Sequence, residues 1–295
     1  DMGEKGYGTF ASNKTFRYSL ENSGYGVREI SLEHPVAEDI NIIVLADMRS
    51  DFTEEEFRNF DAYLERGGNL FILGEPKRQQ FMNPVIERLG LRFADGIIVS
   101  PSEVNLDDLV AANIKEGAAK VSENYIRYFR SGYSIMTPSA CAVEVIDSAK
   151  GFEITEVLAS AGEKETTDFI NEKSVLNPAV GEVEKSNSIM LYLTRPVNNK
   201  EQRIFVIGDA DCISTLELSQ NRPGFRSSNF TLITETFRNL SYGEFPVEAS
   251  RVNPPDDRVL VTRNVIFGIR VVLMWIIPLL FVTGCITLLI RRKRK

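Results

Sequence analysis

The sequence predicts a three-layer α/β domain with a mostly parallel sheet, followed by one C-terminal transmembrane helix. The α/β prediction rests on two nearly continuous apolar runs at residues 40–46 and 70–73, because strands buried on both faces of a parallel sheet lack polar alternation. An amphipathic segment separates these runs, which is the pattern of a right-handed β-α-β unit. The membrane prediction rests on an uncharged run at residues 271–290.

The first elements are predicted from short apolar patterns. Phe16 and Leu20 are one helical turn apart and precede glycines, so we expect a short helix at residues 14–22 and a strand at residues 27–32. Folds of this class usually open with a central strand, whereas the sequence before residue 14 is polar and rich in glycine. We therefore expect a missing central strand upstream of Asp1, either in a longer protein with earlier spans or behind a cleaved export signal, and favour the longer protein.

The helix between the two apolar runs has a defined start. Thr53 and Glu56 have the spacing of a capping box, in which each side chain accepts from the other residue's backbone N–H. Phe60 and Leu64 belong to the apolar stripe of this helix, and paired glycines follow its end. A further helix is predicted at residues 84–89, again before a glycine.

The middle of the chain is less regular than its flanks. We expect residues 95–185 to form a β-rich insertion with short strands and an exposed polar loop. Its predicted strands lie at residues 96–99, 142–146 and 153–159. Regular α/β order returns with strands at residues 188–193 and 203–208 and a helix at residues 229–240. The predicted fold class is close to the flavodoxin or class I amidotransferase type.

The apolar run and the tail behind it predict a membrane topology. Twenty helical residues at about 1.5 Å each span roughly 30 Å, the thickness of a bilayer's hydrocarbon, and Pro278 is tolerated within such a span. The last five residues are all Arg or Lys, so the positive-inside rule places them in the cytoplasm and the bulk of the chain outside. The predicted parts are an α/β domain at 1–245, a stalk at 246–264, a transmembrane helix at 265–290 and a tail at 291–295.

Composition narrows the possible partners. The net charge is −7 although the tail is basic, so the domain is acidic and nucleic acid is not an expected partner. The tail could contact anionic lipid. Cys285 lies within the predicted span, while Cys141 and Cys212 lie in apolar segments. These two cysteines could form a disulfide in an oxidising compartment, but buried free thiols are favoured.

Asp209 and Asp211 are the strongest candidate for a ligand or metal site. They follow a buried strand at the edge where open α/β sheets bind ligands, and paired carboxylates could hold a divalent cation. The same side chains could instead close a turn or cap a helix. His34 is the single histidine and lies in an acidic turn without a partner nucleophile, so it is expected at the surface. No catalytic residue, resident metal, nucleotide loop or cofactor is predicted.

Several segments resemble a known family. Residues 42–47 (IIVLAD), the capped helix ending in YLERGG and the run NLFILGEP at 69–76 resemble the "L-x-x-Y-l-x-x-G-G-x-l-l-v-l" block of the auxiliary components of gliding-motility-type ABC transporters. Residues 203–211 (RIFVIGDAD) and the asparagine-led helix at 229–240 resemble its "V-V-G-D-s-D … N" block. The opening DMGE stands where the family has "T-G-H-G-E".

The resemblance implies a role without catalysis. It suggests a partner of an ABC-2-type permease and a cytoplasmic ATPase, with the α/β domain on the outer face of the bacterial inner membrane. It does not define a transported substrate. The residues alone leave a second hypothesis open, namely a membrane-anchored hydrolase or amidotransferase-like enzyme that uses Asp209 and Asp211.

Overall fold

The computed structural model describes residues 19–102, 105–147, 150–169, 174–245 and 263–294. The chain divides into two compact units, Asp1–Val247 and Glu248–Lys295. The first contains the α/β domain and the second the C-terminal helix. The predicted stalk lies almost wholly outside the described residues, as does most of the predicted helix at 14–22, whose described end is a turn.

A mixed sheet forms the centre of the first unit. The described strands are β1 (Ile42–Ala46), β2 (Asn69–Leu73), β3 (Leu91–Phe93), β4 (Ile97–Val99), β5 (Leu109–Ile114), β6 (Ile135–Pro138), β7 (Val143–Val145), β8 (Glu153–Ala159), β9 (Lys164–Thr166), β10 (Ser188–Val197) and β11 (Lys200–Ile207). Seven of them form one sheet in the order β1-β2-β11-β10-β8-β5-β6. The pairs β1–β2 and β2–β11 are parallel, and the other four pairs are antiparallel. The α/β class is confirmed, but the prediction of a mostly parallel, flavodoxin-like sheet is wrong.

A tight hairpin explains the change of strand direction. Asn198 and Asn199 connect β10 to β11 and both have positive φ, 49° and 64°. This is the backbone of a two-residue primed turn, which suits the twist of antiparallel strands and favours asparagine. β10 therefore runs against β11, and β8, β5 and β6 continue the sheet in antiparallel order.

The segment predicted as an insertion contributes to the main sheet. Strands β4, β7 and β8 match the predicted runs at residues 96–99, 142–146 and 153–159. β8 nevertheless pairs with β10, and β5 and β6 follow outside it. Only the two-stranded pairs β3–β7 and β4–β9 stand apart from the seven-stranded sheet among the described strands.

Two predictions near the N-terminus need correction. The sequence predicts a strand at residues 27–32, but these residues do not form one. The sheet is hydrogen-bonded continuously from β1 to β6, so it contains no gap for the central strand that we expected upstream. An additional strand could pair only at an edge, because every interior strand already has two neighbours.

Helices pack on both faces of the parallel strands. They are α1 (Glu54–Glu65), α2 (Gln79–Ile86), α3 (Glu123–Arg130), α4 (Thr215–Ser219) and α5 (Asn229–Leu240). The predicted capping box of α1 is confirmed, with Thr53 N donating to Glu56 Oε2 at 2.7 Å and Glu56 N to Thr53 Oγ1 at 3.2 Å. α2 begins before the predicted start at residue 84 and continues as a short 3₁₀ turn, Glu87–Leu89.

The two apolar clusters follow from strand alternation. In β2, Phe71 and Leu73 belong to the cluster with the apolar side of α5, whereas Leu70 and Ile72 belong to the cluster with α1 and α2. All four of these side chains are fully buried, because neighbouring residues of a strand point to opposite faces. The continuous apolar run that predicted β2 is thus explained by burial on both faces.

Asn229 holds the outer strand β6 against the start of α5. Its Oδ1 accepts from Met136 N at 2.8 Å, and its Nδ2 donates to Met136 O at 2.7 Å and to Cys212 O at 2.8 Å. Asn229 is 2% exposed, so these bonds form away from water. The side-chain amide therefore substitutes for a neighbouring strand along β6.

The second unit is one long helix with a local widening. It consists of α6 (Arg263–Val271), a π-helical segment (Val272–Ile276) and α7 (Ile277–Lys293). Pro278 lacks a backbone N–H and cannot bond the carbonyl four residues before it, which accounts for the irregular turn next to it. Residues Val265–Lys293 have a mean hydropathy of 2.6 over their most apolar window and are long and apolar enough to cross a membrane.

We predict that Asn229→Ala lowers the free energy of unfolding by about 3 kcal/mol, because three buried backbone groups lose their partner. Asn41→Ala is the control, since its side chain is exposed and makes one weak bond of 3.4 Å; we expect a change below about 0.5 kcal/mol. Urea unfolding of the purified chain in mild detergent, followed by circular dichroism, measures both. Equal effects of the two substitutions would contradict this role of Asn229.

Candidate functional site

The carboxyl ends of three parallel strands meet at one edge of the sheet. Ala46 of β1 is aligned with Leu73 of β2, and Leu73 with Ile207 of β11. The backbone continues this alignment beyond the strands, since Asp47 N donates to Leu73 O at 3.2 Å and Gly74 N to Ile207 O at 2.7 Å. This edge therefore brings together Asp47, Glu75 and Asp209, each at or just beyond the end of its strand.

Gly208 is the most tightly packed position at this edge. Its N–H donates to Ile189 O at 2.9 Å, and its carbonyl accepts from Cys141 N at 2.9 Å and from Cys141 Sγ at 3.2 Å. A Cβ atom at residue 208 would lie 1.8 Å from Cys141 O. Only glycine fits here, so the glycine of the GDAD motif is required by packing.

Asp209 is buried within the edge and does not line an open cleft. It is 0% exposed. Its Oδ1 accepts from Asp211 N at 2.7 Å, and its Oδ2 has no hydrogen-bond partner among the described residues. Burial raises the pKa of Asp209 well above its usual range, and the nearby carboxylates of Glu75 and Asp211 raise it further. The arrangement favours a neutral carboxyl group.

Asp211 belongs to the turn that Asp209 closes. It is half-buried and opens a 3₁₀ turn, Asp211–Ile213. Cys212 Sγ donates to the carbonyl of Asp209 at 3.2 Å, so consecutive residues of this turn bond back to the strand end. Asp209 thus closes a turn through its side chain, which is the structural alternative to ligand binding stated for these two aspartates. The described residues include no group of three or more His, Cys, Asp or Glu side chains that could hold a metal ion, and a ligand role of Asp209 and Asp211 stays a prediction.

His34 lies away from the carboxyl edge. Arg66, at the C-terminal end of α1, donates to the carbonyls of Val36, Ala37 and Ile40. Because α1 leads from the carboxyl end of β1 to the amino end of β2, these bonds place the loop that contains His34 at the amino edge. His34 is exposed there, as predicted for a surface histidine.

The two cysteines of the α/β domain are free and buried. Burial raises the pKa of Cys141, and the nearby acidic residues Glu75 and Asp209 raise it further. The pKa of Cys212 is raised by burial and by Asp209 and Asp211. A thiol must ionise to act as a nucleophile or metal ligand, so neither cysteine is suited to that chemistry.

A polar cleft in the middle of the chain was not predicted. It has a volume of about 380 Å³ and lies beside the β3–β7 and β4–β9 pairs. Lys185 Nζ is 3.0 Å from Glu165 Oε2 and 4.0 Å from Glu144 Oε1, and Arg92 also lines the cleft. These residues are distant in sequence and fit no spacing motif, which is why the cleft was not predictable from sequence patterns.

Comparison with solved structures shows a similarity of fold alone. No curated protein matches the chain. The mmIFT52 N-terminal domain is similar in fold, with a TM-score of 0.55 at 16% identity over 80% of this chain and 93% of that domain. A thua-like protein from Bacteroides uniformis has a TM-score of 0.42 at 15% identity, over 81% of this chain and 87% of that protein.

We predict that Asp209→Asn removes a pH dependence of stability. The pKa of the folded group is raised above the unfolded value of 3.8, so the folded state retains a proton that the unfolded state releases. Stability from this group is therefore full below pH 3.8 and is lost as the pH rises toward the folded pKa. Asparagine mimics the protonated form and should abolish this loss.

The measurement is the free energy of unfolding of both proteins in mild detergent at several values above pH 4. Exposed Asp51 offers a matched control, and Asp51→Asn should keep the decline of the unsubstituted protein. A decline of the same slope in Asp209→Asn would show that Asp209 is ionised in the folded state.

A family model described as "ABC-type uncharacterized transport system" matches residues 4–130. This stretch contains the Thr53 capping box, the paired glycines after α1 and strand β2, which belong to the first of the two blocks that carry the resemblance. The match confirms the resemblance at the level of the broader family: in residues 4–130, the chain is similar to the auxiliary components of ABC-type transport systems.

Proposed function

We propose that the protein is a non-catalytic auxiliary component of an ABC-type export system. In this proposal the α/β domain lies on the outer face of the bacterial inner membrane. There it binds or assembles with an ABC-2-type permease, whose ATPase subunit is cytoplasmic. The observation that carries the proposal is the family match over residues 4–130 in a chain that ends in a helix apolar enough to span a membrane.

The ends of the terminal helix support the orientation. Arg291, Arg292 and Lys293 form its last turn, and no acidic residue lies in its described length. A cluster of this kind is retained on the cytoplasmic side during insertion and is attracted to anionic lipid headgroups. The α/β domain then lies on the opposite side, away from cytoplasmic ATP.

The carboxyl edge supports a role without catalysis. A general acid or base must reach a substrate within hydrogen-bond distance, whereas Asp209 is fully buried. The turn after β2 has Gly74, Glu75 and Pro76, and Gly74 packs so closely that an added Cβ would lie 2.7 Å from the ring of Phe93. The hydrolase or amidotransferase-like alternative has no support from these residues.

The proposal extends to the gliding-motility-type subgroup. The blocks at residues 63–76 and 203–211 resemble the pattern of those auxiliary components, and they include the parallel strand β2 and the second half of β11. The motif residues serve the fold: Gly208 permits the contact with Cys141, and Asn229 joins α5 to β6. These motifs therefore do not identify the transported substrate.

Co-purification tests the proposal. We expect the tagged chain, extracted from native membranes in mild detergent, to co-elute with a permease and an ATPase subunit. An unrelated single-span protein with the same tag is the control for non-specific capture. A chain that elutes alone, under conditions in which the permease and ATPase remain associated, would contradict the proposal.

Asp211→Asn separates the two functional hypotheses within the same experiment. Asp211 is half-buried, and its backbone N–H, which bonds Asp209, is unchanged by the substitution. We expect co-elution with both subunits and transport-dependent growth at the level of the unsubstituted chain. Loss of growth by a variant that still co-elutes would support the enzyme hypothesis instead.

A further inference from the structure

Two segments that are distant in sequence lie side by side before β6. Their backbones form a parallel bridge at Ser134, and Ser134 N donates to Arg226 O at 3.0 Å. Arg226 Nη1 also donates to Ser131 O at 3.3 Å. These bonds join the second half of α3 and the loop after it to the loop before α5. We call the result the arginine surface, and it consists of residues 127–134 and 222–228.

The arginine surface is basic in a protein that is acidic as a whole. The chain has 41 acidic and 34 basic residues, whereas the segments 124–134 and 218–234 contain four arginines and no Asp or Glu. Arg222 is neutralised, because it forms an ion pair with the buried carboxylate of Glu217. The other three arginines are exposed, and none forms an ion pair within the described part of the chain; they are Arg127, Arg130 and Arg226.

Aromatic side chains accompany these arginines. Tyr128 packs against the apolar cluster of the α5 face, and its ring contacts that of Tyr133 edge-on, with centroids 5.2 Å apart. The guanidinium carbon of Arg127 lies 5.8 Å from the centre of the Tyr128 ring. Phe225 is 36% exposed. Aromatic rings with a polar group favour the level of the lipid headgroups in membrane proteins, so this composition suits a membrane interface.

The arginine surface projects from the domain. Each of its two loops contains a glycine with positive φ, Gly132 at 73° and Gly224 at 85°. A Cβ atom added at either glycine would meet no neighbouring atom within 4 Å. Small ligands bind mainly in concave sites, whereas projecting loops can reach a flat partner. The shape therefore favours an extended anionic surface over a small anion.

We propose that the arginine surface docks the α/β domain on a bilayer that contains anionic lipid. Arg127, Arg130 and Arg226 pair with lipid phosphates, and the rings of Tyr133 and Phe225 lie among the headgroups. This contact is separate from that of the basic tail, which belongs to the terminal helix. It requires that the chain is held at a membrane and does not depend on the proposed transport role.

Covalent connection to a membrane helix favours lipid over an acidic protein or a second copy. The same chain contains a helix that is long and apolar enough to cross a membrane. A domain tethered in this way meets lipid headgroups at an effective concentration in the millimolar range or above. Each arginine near an anionic bilayer strengthens the attraction about fivefold, so three arginines contribute on the order of 100-fold. That is sufficient to hold a tethered domain against the bilayer.

Fluorescence quenching in nanodiscs tests the proposal on the full chain. A dye is attached to Asn221→Cys, an exposed position beside the arginine surface, in a chain that also carries Cys285→Ala. Each disc holds one chain and lipid with a quencher on its headgroup. We expect stronger quenching in discs with about a third phosphatidylglycerol than in discs of phosphatidylcholine alone. The difference should disappear near 1 M salt, where charges are screened beyond about 3 Å.

Two sets of substitutions remove the same amount of charge. The combination of Arg127→Gln, Arg130→Gln and Arg226→Gln should lower the ratio of docked to undocked domain by on the order of 100-fold. The matched control removes three exposed basic side chains elsewhere and should leave the ratio unchanged; its substitutions are Arg58→Gln, Lys150→Gln and Lys200→Gln.

A double variant separates lost charge from a disturbed loop. Arg226 bonds Ser131, so the variant with only Arg127→Gln and Arg130→Gln keeps this bond. It should lower the docking ratio about 25-fold. Replacing all three arginines of the surface with lysine keeps the charge and should largely restore docking.

Three results would each overturn the proposal. The first is equal quenching in the two kinds of disc, and the second is docking that persists in both glutamine variants of the arginine surface. The third is an equal loss of docking in the control variant, because the attraction would then come from overall charge. A dye on His34→Cys, which precedes β1 at the end of the strand order opposite β6, should not respond to phosphatidylglycerol. A stronger response there than at residue 221 would assign lipid contact to another surface and also overturn the proposal.

Discussion

The close approach of Gly208 to Cys141 is the contact on which the arrangement of the α/β domain depends. Gly208 directly follows β11; its N–H donates to Ile189 O, and its carbonyl accepts from Cys141 N. The residues around Cys141 bond in turn to the next layer of strands, with Ala94 N donating to Ala142 O at 2.9 Å and Ile98 N to Ala140 O at 2.8 Å. One position without a side chain thus connects the parallel strands to the β-rich middle of the chain.

This packing explains why the carboxyl edge has a structural role. In open α/β sheets this edge usually leaves a crevice for ligands. Here the backbone near Cys141 occupies the space beside β11, and Phe93 occupies the space beside the end of β2. Asp209 is consequently buried and uses one oxygen to close the turn to Asp211. The GDAD motif has the sequence pattern of a ligand site, but in the structure it forms a tightly packed turn after β11.

Local signals in the sequence predicted local structure well. The capping box at Thr53, the buried strand β2 and the helix that begins at Asn229 depend on residue types and spacings within one element, and all three are confirmed. The direction of the strands was not predicted correctly, because the two-asparagine turn at residues 198–199 was not recognised as a hairpin. This tight turn reverses β10 relative to β11, and the strands beyond β10 alternate in direction.

The position of the candidate site was predictable from the sequence, but the burial of its side chains was not. Asp209 and Asp211 do lie at the end of a buried strand, as their place after an apolar run indicated. Asp209 is fully buried close to Glu75 and Cys141, which are distant from it in sequence, and no spacing rule reports such contacts. The strand prediction at residues 27–32 failed for a related reason, since a strand forms only where a neighbour is available to pair with it.

The terminal helix determines which side of a membrane the α/β domain can occupy. The helix is long and apolar enough to cross a membrane, and the positive-inside rule places a basic end of this kind in the cytoplasm. The orientation of the helix therefore decides between two kinds of partner. An α/β domain outside the cell membrane contacts extracytoplasmic partners, whereas one in the cytoplasm would contact the ATPase directly. The native thiols permit a clean test, because Cys141 and Cys212 are buried and Cys285 lies within the apolar helix.

The most direct measurement is maleimide labelling of two single-cysteine additions in intact cells. His34→Cys places a thiol on the exposed loop of the α/β domain, and Arg294→Cys places one at the exposed end of the terminal helix. We predict that a membrane-impermeant maleimide labels His34→Cys in intact cells and labels Arg294→Cys only after the inner membrane is broken. The reverse pattern would contradict an extracytoplasmic α/β domain and, with it, the proposed role.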